Sequence, residues 1–329
     1  MPILMILMWF AVLGVALFIL LQAADYFVDT AEMFGVKMKI PAFIIGATIV
    51  AFGTSLPELA VGISSILKGN SEIIAGTVIG SNTSNILLIT GVAILISTGF
   101  LIHFKKQAFE FTILAVTTLL LGYFLFDHKF TLVEGIISCA LLVGYIVYIV
   151  LYPHEEDDND DDSDEKITWK TYLFFVLSGA GIFIGAEFTT MAIQEIAVLL
   201  TIPTDIVSLT VVALGTSLPE LAVTISAVKK KQFDMILGNV IGSNIFNTLC
   251  VMGIPTLVGY FAGQSFGIND EIYFNFSIPM MIIATLLLLV LGLMKKTPKY
   301  FGFIYIALYV VFVIGSFVGF DLVGLVGLK

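Results

Sequence analysis

Apolar residues along this chain come in long unbroken runs, with polar residues confined to short breaks between them. A helix needs roughly 20 apolar residues to cross a hydrocarbon core of about 30 Å. The runs predict spans at about 3–24, 41–67, 73–100, 108–126, 130–152, 171–194, 204–228, 235–262, 272–294 and 300–320. The fold class this implies is all-α and membrane-embedded, with ten transmembrane helices. The break between the first two spans also reads as a long, tilted end of the first helix.

Composition agrees. Hydrophobic residues make up 59% of the 329 residues and charged residues only 12%, with a mean hydropathy of +1.06. A water-soluble domain of this size carries about twice that share of charge. The run from Ile3 to Leu21 has no basic leader and no small-residue cleavage pattern, so it reads as a first span and not as a removed signal. Cys139 and Cys250 lie in apolar runs without ligand spacing and read as buried thiols.

Charge placement adds orientation. All 15 basic residues are lysine; without the bidentate guanidinium, nucleic acid is an unsuited partner. One set of alternating loops carries Lys37, Lys39, Lys105, Lys106, Lys166, Lys170, Lys229, Lys230, Lys231, Lys295, Lys296 and Lys299. The other set has Lys68, Lys129 and Lys329. Lysine favours the cytoplasmic side, which places both termini outside a cell membrane. Nine of the 25 acids fall within residues 155–165, so the net charge of -10 is almost wholly local. This acidic stretch follows the fifth span and reads as a self-repelling, solvated cytoplasmic linker. It lacks the glycine turn and spaced ligands of an EF-hand. The expected division is a first half at 1–152, the linker at 153–167 and a second half at 168–329.

The halves are related. Residues 41–92 align without a gap on 203–254, with 27 identities in 52 positions. GTSLPELAV occurs at Gly53–Val61 and at Gly215–Val223; VIGSN occurs at Val78–Asn82 and at Val240–Asn244. The second and seventh spans, which carry the first motif, are an odd number of spans apart and so cross in opposite senses. Two inverted five-helix repeats are the plan of secondary transporters, whose sites lie near the midplane at the repeat interface.

The repeats also carry the chemistry. Three carboxylates read as clearly intramembrane: Glu58, Glu134 and Glu220. A charge at the bilayer centre costs about 2.5–3.5 kcal/mol on the mildest scale. Glu58 and Glu220 are repeat mates, each roughly 15 Å along a helix from a boundary lysine, which puts both near the midplane. No basic residue lies within the spans to balance them, so they call for cations from solution. Hard cations such as Ca2+ and Na+ take oxygen ligands. Thr54, Ser55, Thr216 and Ser217 supply hydroxyls within one turn, and Pro57 and Pro219 free backbone carbonyls by kinking the helix. Ser81 with Asn85, and Ser243 with Asn247, add four-residue-spaced pairs on the third and eighth spans. Glu134 sits near a span end without an acidic mate and reads as structural. His103, His128 and His154 fall in loops or at span edges.

GTSLPE followed by GSNxxN in both halves resembles the alpha repeats of the cation/Ca2+ antiporter superfamily, in particular its Na+/Ca2+ exchanger branch. The resemblance implies a packed core of the second, third, seventh and eighth helices, with the first and sixth sliding past it. It implies four cation positions. Glu58 and Glu220 would hold Ca2+ with the carbonyls of Thr54 and Thr216. Ala51 and Ala213 would offer carbonyls to Na+, with the hydroxyls of Ser55, Ser81, Ser217 and Ser243. Asn85 and Asn247 would line the middle position. Some archaeal and K+-dependent members resembling this chain carry aspartate where Asn247 stands; asparagine there resembles the animal exchangers and puts K+ dependence in doubt.

The function expected is antiport of Na+ for Ca2+ by alternating access, with Ca2+/H+ antiport as the alternative. The ions are cargo, no cofactor is expected, and membrane lipid is the surrounding partner; the oligomeric state stays open. A channel would repeat its filter around an oligomer axis, whereas these repeats are inverted. An intramembrane hydrolase would need a base, and no histidine lies within a span.

Overall fold

The computed structural model describes residues 2–97, 107–151, 167–200, 215, 217–268, 271–294 and 297–325. Among these the chain is almost entirely helical, with one isolated bridge between Lys129 and Gly267. We number its helices α1 (Pro2–Met38), α2 (Ala42–Thr54), α3 (Leu56–Leu67), α4 (Glu72–Ile96), α5 (Ala108–Asp127), α6 (Leu132–Leu151), α7 (Trp169–Leu199), α8 (Leu218–Lys229), α9 (Phe233–Phe261), α10 (Tyr273–Gly292) and α11 (Tyr300–Val318). Eight are long and apolar enough to cross a membrane on their own, and α2 with α3 forms a ninth, bent by 41°. The acidic linker and the first part of the seventh predicted span, with Ala213 and Thr216, lie outside the described residues.

Three features refine the sequence expectation, which allows a long end to the first helix and a structural Glu134. The first span does not stop near residue 24: α1 runs on to Met38, and its mate α7 reaches Leu199. Asp25, Asp29 and Glu32 therefore sit on a helix, and they are accommodated because the α8–α9 turn supplies partners. Lys230 Nζ pairs with Asp29 at 2.5 Å and Lys229 with Asp25 at 4.0 Å, while Gln232 donates to Glu32. Intramembrane acids are also more numerous than the three singled out. Glu110 is fully buried on α5, whereas Glu187 and Glu195 of α7 are exposed. Finally, Glu134 is a helix cap. Its carboxylate accepts from the Thr131 N–H at 2.5 Å while its own N–H donates to Thr131 Oγ1 at 3.4 Å, a reciprocal capping box at the start of α6.

Helices inside lipid gain little from apolar burial against one another, so close backbone approach between small residues holds them together. The core helix α9 is the extreme case: every residue in its most apolar stretch is buried, against 78% for α4 and 11% for α1. Gly238 and Gly242 of α9 press directly on the α2 backbone. A Cβ on Gly238 would run into the Phe43 carbonyl oxygen, and one on Gly242 would stand 2.5 Å from that of Ala47. Around this core α1 packs along α7, with Phe27 stacked on Phe175 at 4.7 Å and Gly185 set against the Leu20 backbone.

The repeat is visible in backbone detail. The Leu-Pro-Glu helix of each motif starts after a serine of the same geometry: Ser55 has φ −88 and ψ 2, and Ser217 has φ −89 and ψ 2. Each helix then ends on a lysine of almost identical geometry, Lys68 and Lys230. The following residue is left-handed in both, but it is Gly69 (φ 77) in one repeat and Lys231 (φ 61) in the other. A side chain in that conformation costs about 1–2 kcal/mol. Lys231→Gly is thus expected to stabilise the protein by about 1 kcal/mol, read as a higher melting midpoint in detergent; an unchanged or lower midpoint counts against the strain.

Candidate cation site

The candidate site lies where α2, α3 and α8 meet the core helices α4 and α9. Proline has no N–H, so Pro57 and Pro219 cannot bond the carbonyl four residues back. Placed at the second residue of α3 and α8, each instead starts a fresh helix, with its glutamate in the first turn. The break thereby aims Glu58 and Glu220 into the protein: they are 0% and 1% exposed.

The two carboxylates lie close enough to interact electrostatically. Ser81 of α4 donates to Glu58 Oε1 at 3.3 Å. The Thr54 hydroxyl of α2 faces the Glu220 carboxylate. It makes no strict hydrogen bond there: neither Glu220 oxygen has a hydrogen-bond partner among the described residues. Thr54 in turn lies 3.5 Å from Ser243 Oγ on α9. These contacts join α2, α3, α4, α8 and α9, and both repeats, into one polar cluster inside an apolar molecule.

Other oxygens are held ready there. Ser55 and Ser217, at the two breaks, are buried with hydroxyls that bond no other described group. Asn85 and Asn247 are 1% and 0% exposed, and neither amide has a hydrogen-bond partner among the described residues. Each opens a π-helical turn, Asn85–Ile89 and Asn247–Val251. The widened turn displaces backbone carbonyls from the regular ladder, a feature frequent at functional sites. Ala51 is fully buried at the end of α2, and its carbonyl accepts from the Ser55 N–H and the Thr54 hydroxyl.

Buried polar atoms without partners destabilise a fold by about 1–3 kcal/mol each. Several of them lie on the helices that carry the two carboxylates, which makes this a candidate binding site. The chemistry is oxygen throughout, and no group of three or more His, Cys, Asp or Glu gathers among the described residues. That donor set suits hard cations held by two charges and several neutral oxygens.

Sequence reading missed one member. Asn239, one turn before Ser243 on α9, is 1% exposed and contacts both Thr54 and Ser243 at 3.4 Å through Oδ1. Its repeat mate is Thr77, also buried, and this change of polar residue between two otherwise matching stretches was the available signal.

Comparison with known proteins agrees with this geometry. Residues 8–151 and 170–318 match the family model described as sodium/calcium exchanger protein. The chain is 31% identical to the sodium/calcium exchanger MaX1 of Methanosarcina acetivorans, covering 95% of this chain and 99% of that protein. It is 33% identical to the inner membrane protein YrbG of Escherichia coli over 75% of this chain and 79% of the relative. Among solved structures it superposes on the sodium-calcium exchanger NCX_Mj soaked with 2.5 mM Na+ and 10 mM Sr2+ with a TM-score of 0.80, at 26% identity, covering 94% of this chain and 99% of that one. With both repeats inside the matched segments and whole-length likeness to relatives, the chain belongs to the sodium/calcium exchanger family.

Proposed function

We propose that this protein is a secondary antiporter of the cell membrane that exchanges Na+ for Ca2+ by alternating access. Its ten helices form two inverted five-helix halves, 1–152 and 168–329, joined by the cytoplasmic acidic linker, with both termini outside. The cations are held by Glu58 and Glu220, with Ala51, Thr54, Ser55, Ser81, Asn85 and the mates Ala213, Thr216, Ser217, Ser243 and Asn247. The observation that carries this reading is the meeting of two buried carboxylates, one from each repeat, among buried hydroxyls and amides.

The charge balance explains exchange. Two carboxylates neutralise one Ca2+ or two Na+. Emptied, they repel each other and hold water, which disfavours a closed site. Only ion-loaded forms then cross readily between the two access states, so release of one ion requires binding of the other. A third Na+ would leave one positive charge and make the cycle electrogenic. With asparagine at 247 there is no third carboxylate at the middle position, which fits a cycle without K+.

The test is 45Ca2+ uptake into vesicles reconstituted with the full chain. An outward Na+ gradient is expected to drive uptake, an inside-positive potential to speed it relative to an inside-negative one, and K+ to be dispensable. Uptake driven by a pH gradient and indifferent to Na+ would establish proton coupling instead.

A further inference from the structure

The hydroxyl of Thr54 has one hydrogen and four oxygens around it. They are the carbonyls of Val50 at 3.1 Å and Ala51 at 3.3 Å, Asn239 Oδ1 at 3.4 Å and Ser243 Oγ at 3.5 Å. A single hydrogen cannot serve all of them, and its direction decides what the site offers a cation. A cation needs lone pairs, so hydroxyl hydrogens beside it must point away. Asn239 Oδ1 is an acceptor within reach of both Thr54 and Ser243, and an amide oxygen has two lone pairs to receive both hydrogens.

We propose that Asn239 is a positioning residue for sodium. By accepting the hydrogens of Thr54 and Ser243, it releases the Val50 and Ala51 carbonyls from Thr54. It also turns two hydroxyl oxygens toward a small monovalent cation beside Glu220. The effect falls on Na+ more than on Ca2+ because the divalent ion is held chiefly by the two carboxylates. Na+ carries half that charge and depends more on neutral oxygens.

The inverted repeat sharpens the inference. At the equivalent place on α4 stands Thr77, four residues before Ser81 as Asn239 is four before Ser243. A threonine hydroxyl can donate as well as accept, so it does not dictate where its neighbours' hydrogens go. The two halves of the site are then chemically unequal. The Asn239 side is pre-set for a cation, and the Thr77 side must reorient when one arrives.

This inference rests on the Na+/Ca2+ reading, and one experiment separates the two. Full-length wild type, Asn239→Ala and Asn239→Thr are reconstituted and assayed in two modes: Na+-driven 45Ca2+ uptake against Na+ concentration, and Ca2+/Ca2+ exchange without Na+. Losing a net hydrogen-bond contribution of about 1 kcal/mol predicts a half-saturating Na+ concentration about fivefold higher in Asn239→Ala. Asn239→Thr should shift less, and in both variants the half-saturating Ca2+ concentration of Ca2+/Ca2+ exchange should rise by a smaller factor than that for Na+. In a Thr54→Val background, Asn239→Ala should add less than it does alone, since one of the two hydroxyls it orients is gone. Equal shifts in both modes would mark Asn239 as merely structural, and no shift in either would overturn its role. A wild type without Na+ dependence would overturn the antiport reading and this inference together. Should the alanine variant not fold, the threonine variant, which carries the residue found in the other repeat, decides the matter through its Na+ dependence.

Discussion

Glu58→Gln and Glu220→Gln should each abolish Na+-dependent 45Ca2+ uptake while leaving a folded protein. Glutamine keeps the shape and one oxygen but removes one of two charges facing each other in a site closed to water. Removing one partner from a buried charged arrangement costs about 3–5 kcal/mol, or roughly 10²- to 10³-fold in affinity for a divalent ion. The same change relieves repulsion between two buried carboxylates in the ion-free protein. The expected signature is therefore an unusual pair. The melting midpoint without ions is unchanged or higher than wild type, and the rise in midpoint that Ca2+ gives wild type is lost. A variant that transports normally, or that melts far below wild type, would show that the carboxylates do not hold the transported ions.

The helical membrane architecture and the two buried glutamates were legible because a duplicated sequence is its own control. A kinked Gly-Thr-Ser-Leu-Pro segment occurs in many helices for packing reasons alone. Two copies, each with a glutamate, narrow the reading, and Ser55 and Ser217 take the same backbone geometry ahead of their Leu-Pro-Glu helices. What escaped the sequence depends on partners far along the chain. Asp25, Asp29 and Glu32 resemble the end of a span because nothing nearby can balance them; Lys230 and Gln232 do so from some 200 residues away. Glu110 lies inside a predicted span but has no acidic mate to draw notice; its burial comes from packing that no local pattern encodes. The π-helical turns after Asn85 and Asn247 leave no mark in hydropathy. They arise where α4 and α9 are locked among neighbours on all sides. Asn239 is found by attending to the repeat's polar mismatches as closely as to its identities.

Those mismatches are tolerated because the contact between α2 and α9 is set by backbone, which leads to a second large effect. Gly238→Ala and Gly242→Ala should each destabilise the protein and cut transport at least tenfold. At Gly238 the added methyl would collide with the Phe43 carbonyl oxygen and lie 2.8 Å from the Ala47 nitrogen; at Gly242 it would meet the Ala47 carbonyl oxygen and Cα at 2.5 and 2.7 Å. All of these are main-chain atoms and cannot rotate away, so the helices must part. Overpacking of this kind costs about 1–3 kcal/mol or more. The functional loss should exceed what that figure suggests. α2 carries Ala51 and Thr54, and α9 carries Asn239 and Ser243, so separating them opens the 3.4–3.5 Å contacts of the site. Gly144→Ala on α6 is the matched control: its methyl would meet no described atom within 4 Å, and alanine favours a helix over glycine by about 1 kcal/mol. Its midpoint should hold or rise with transport intact. If Gly238→Ala behaves like Gly144→Ala, main-chain contact between the two helices does not position the site, and the oxygen cluster must be held together by its side chains alone.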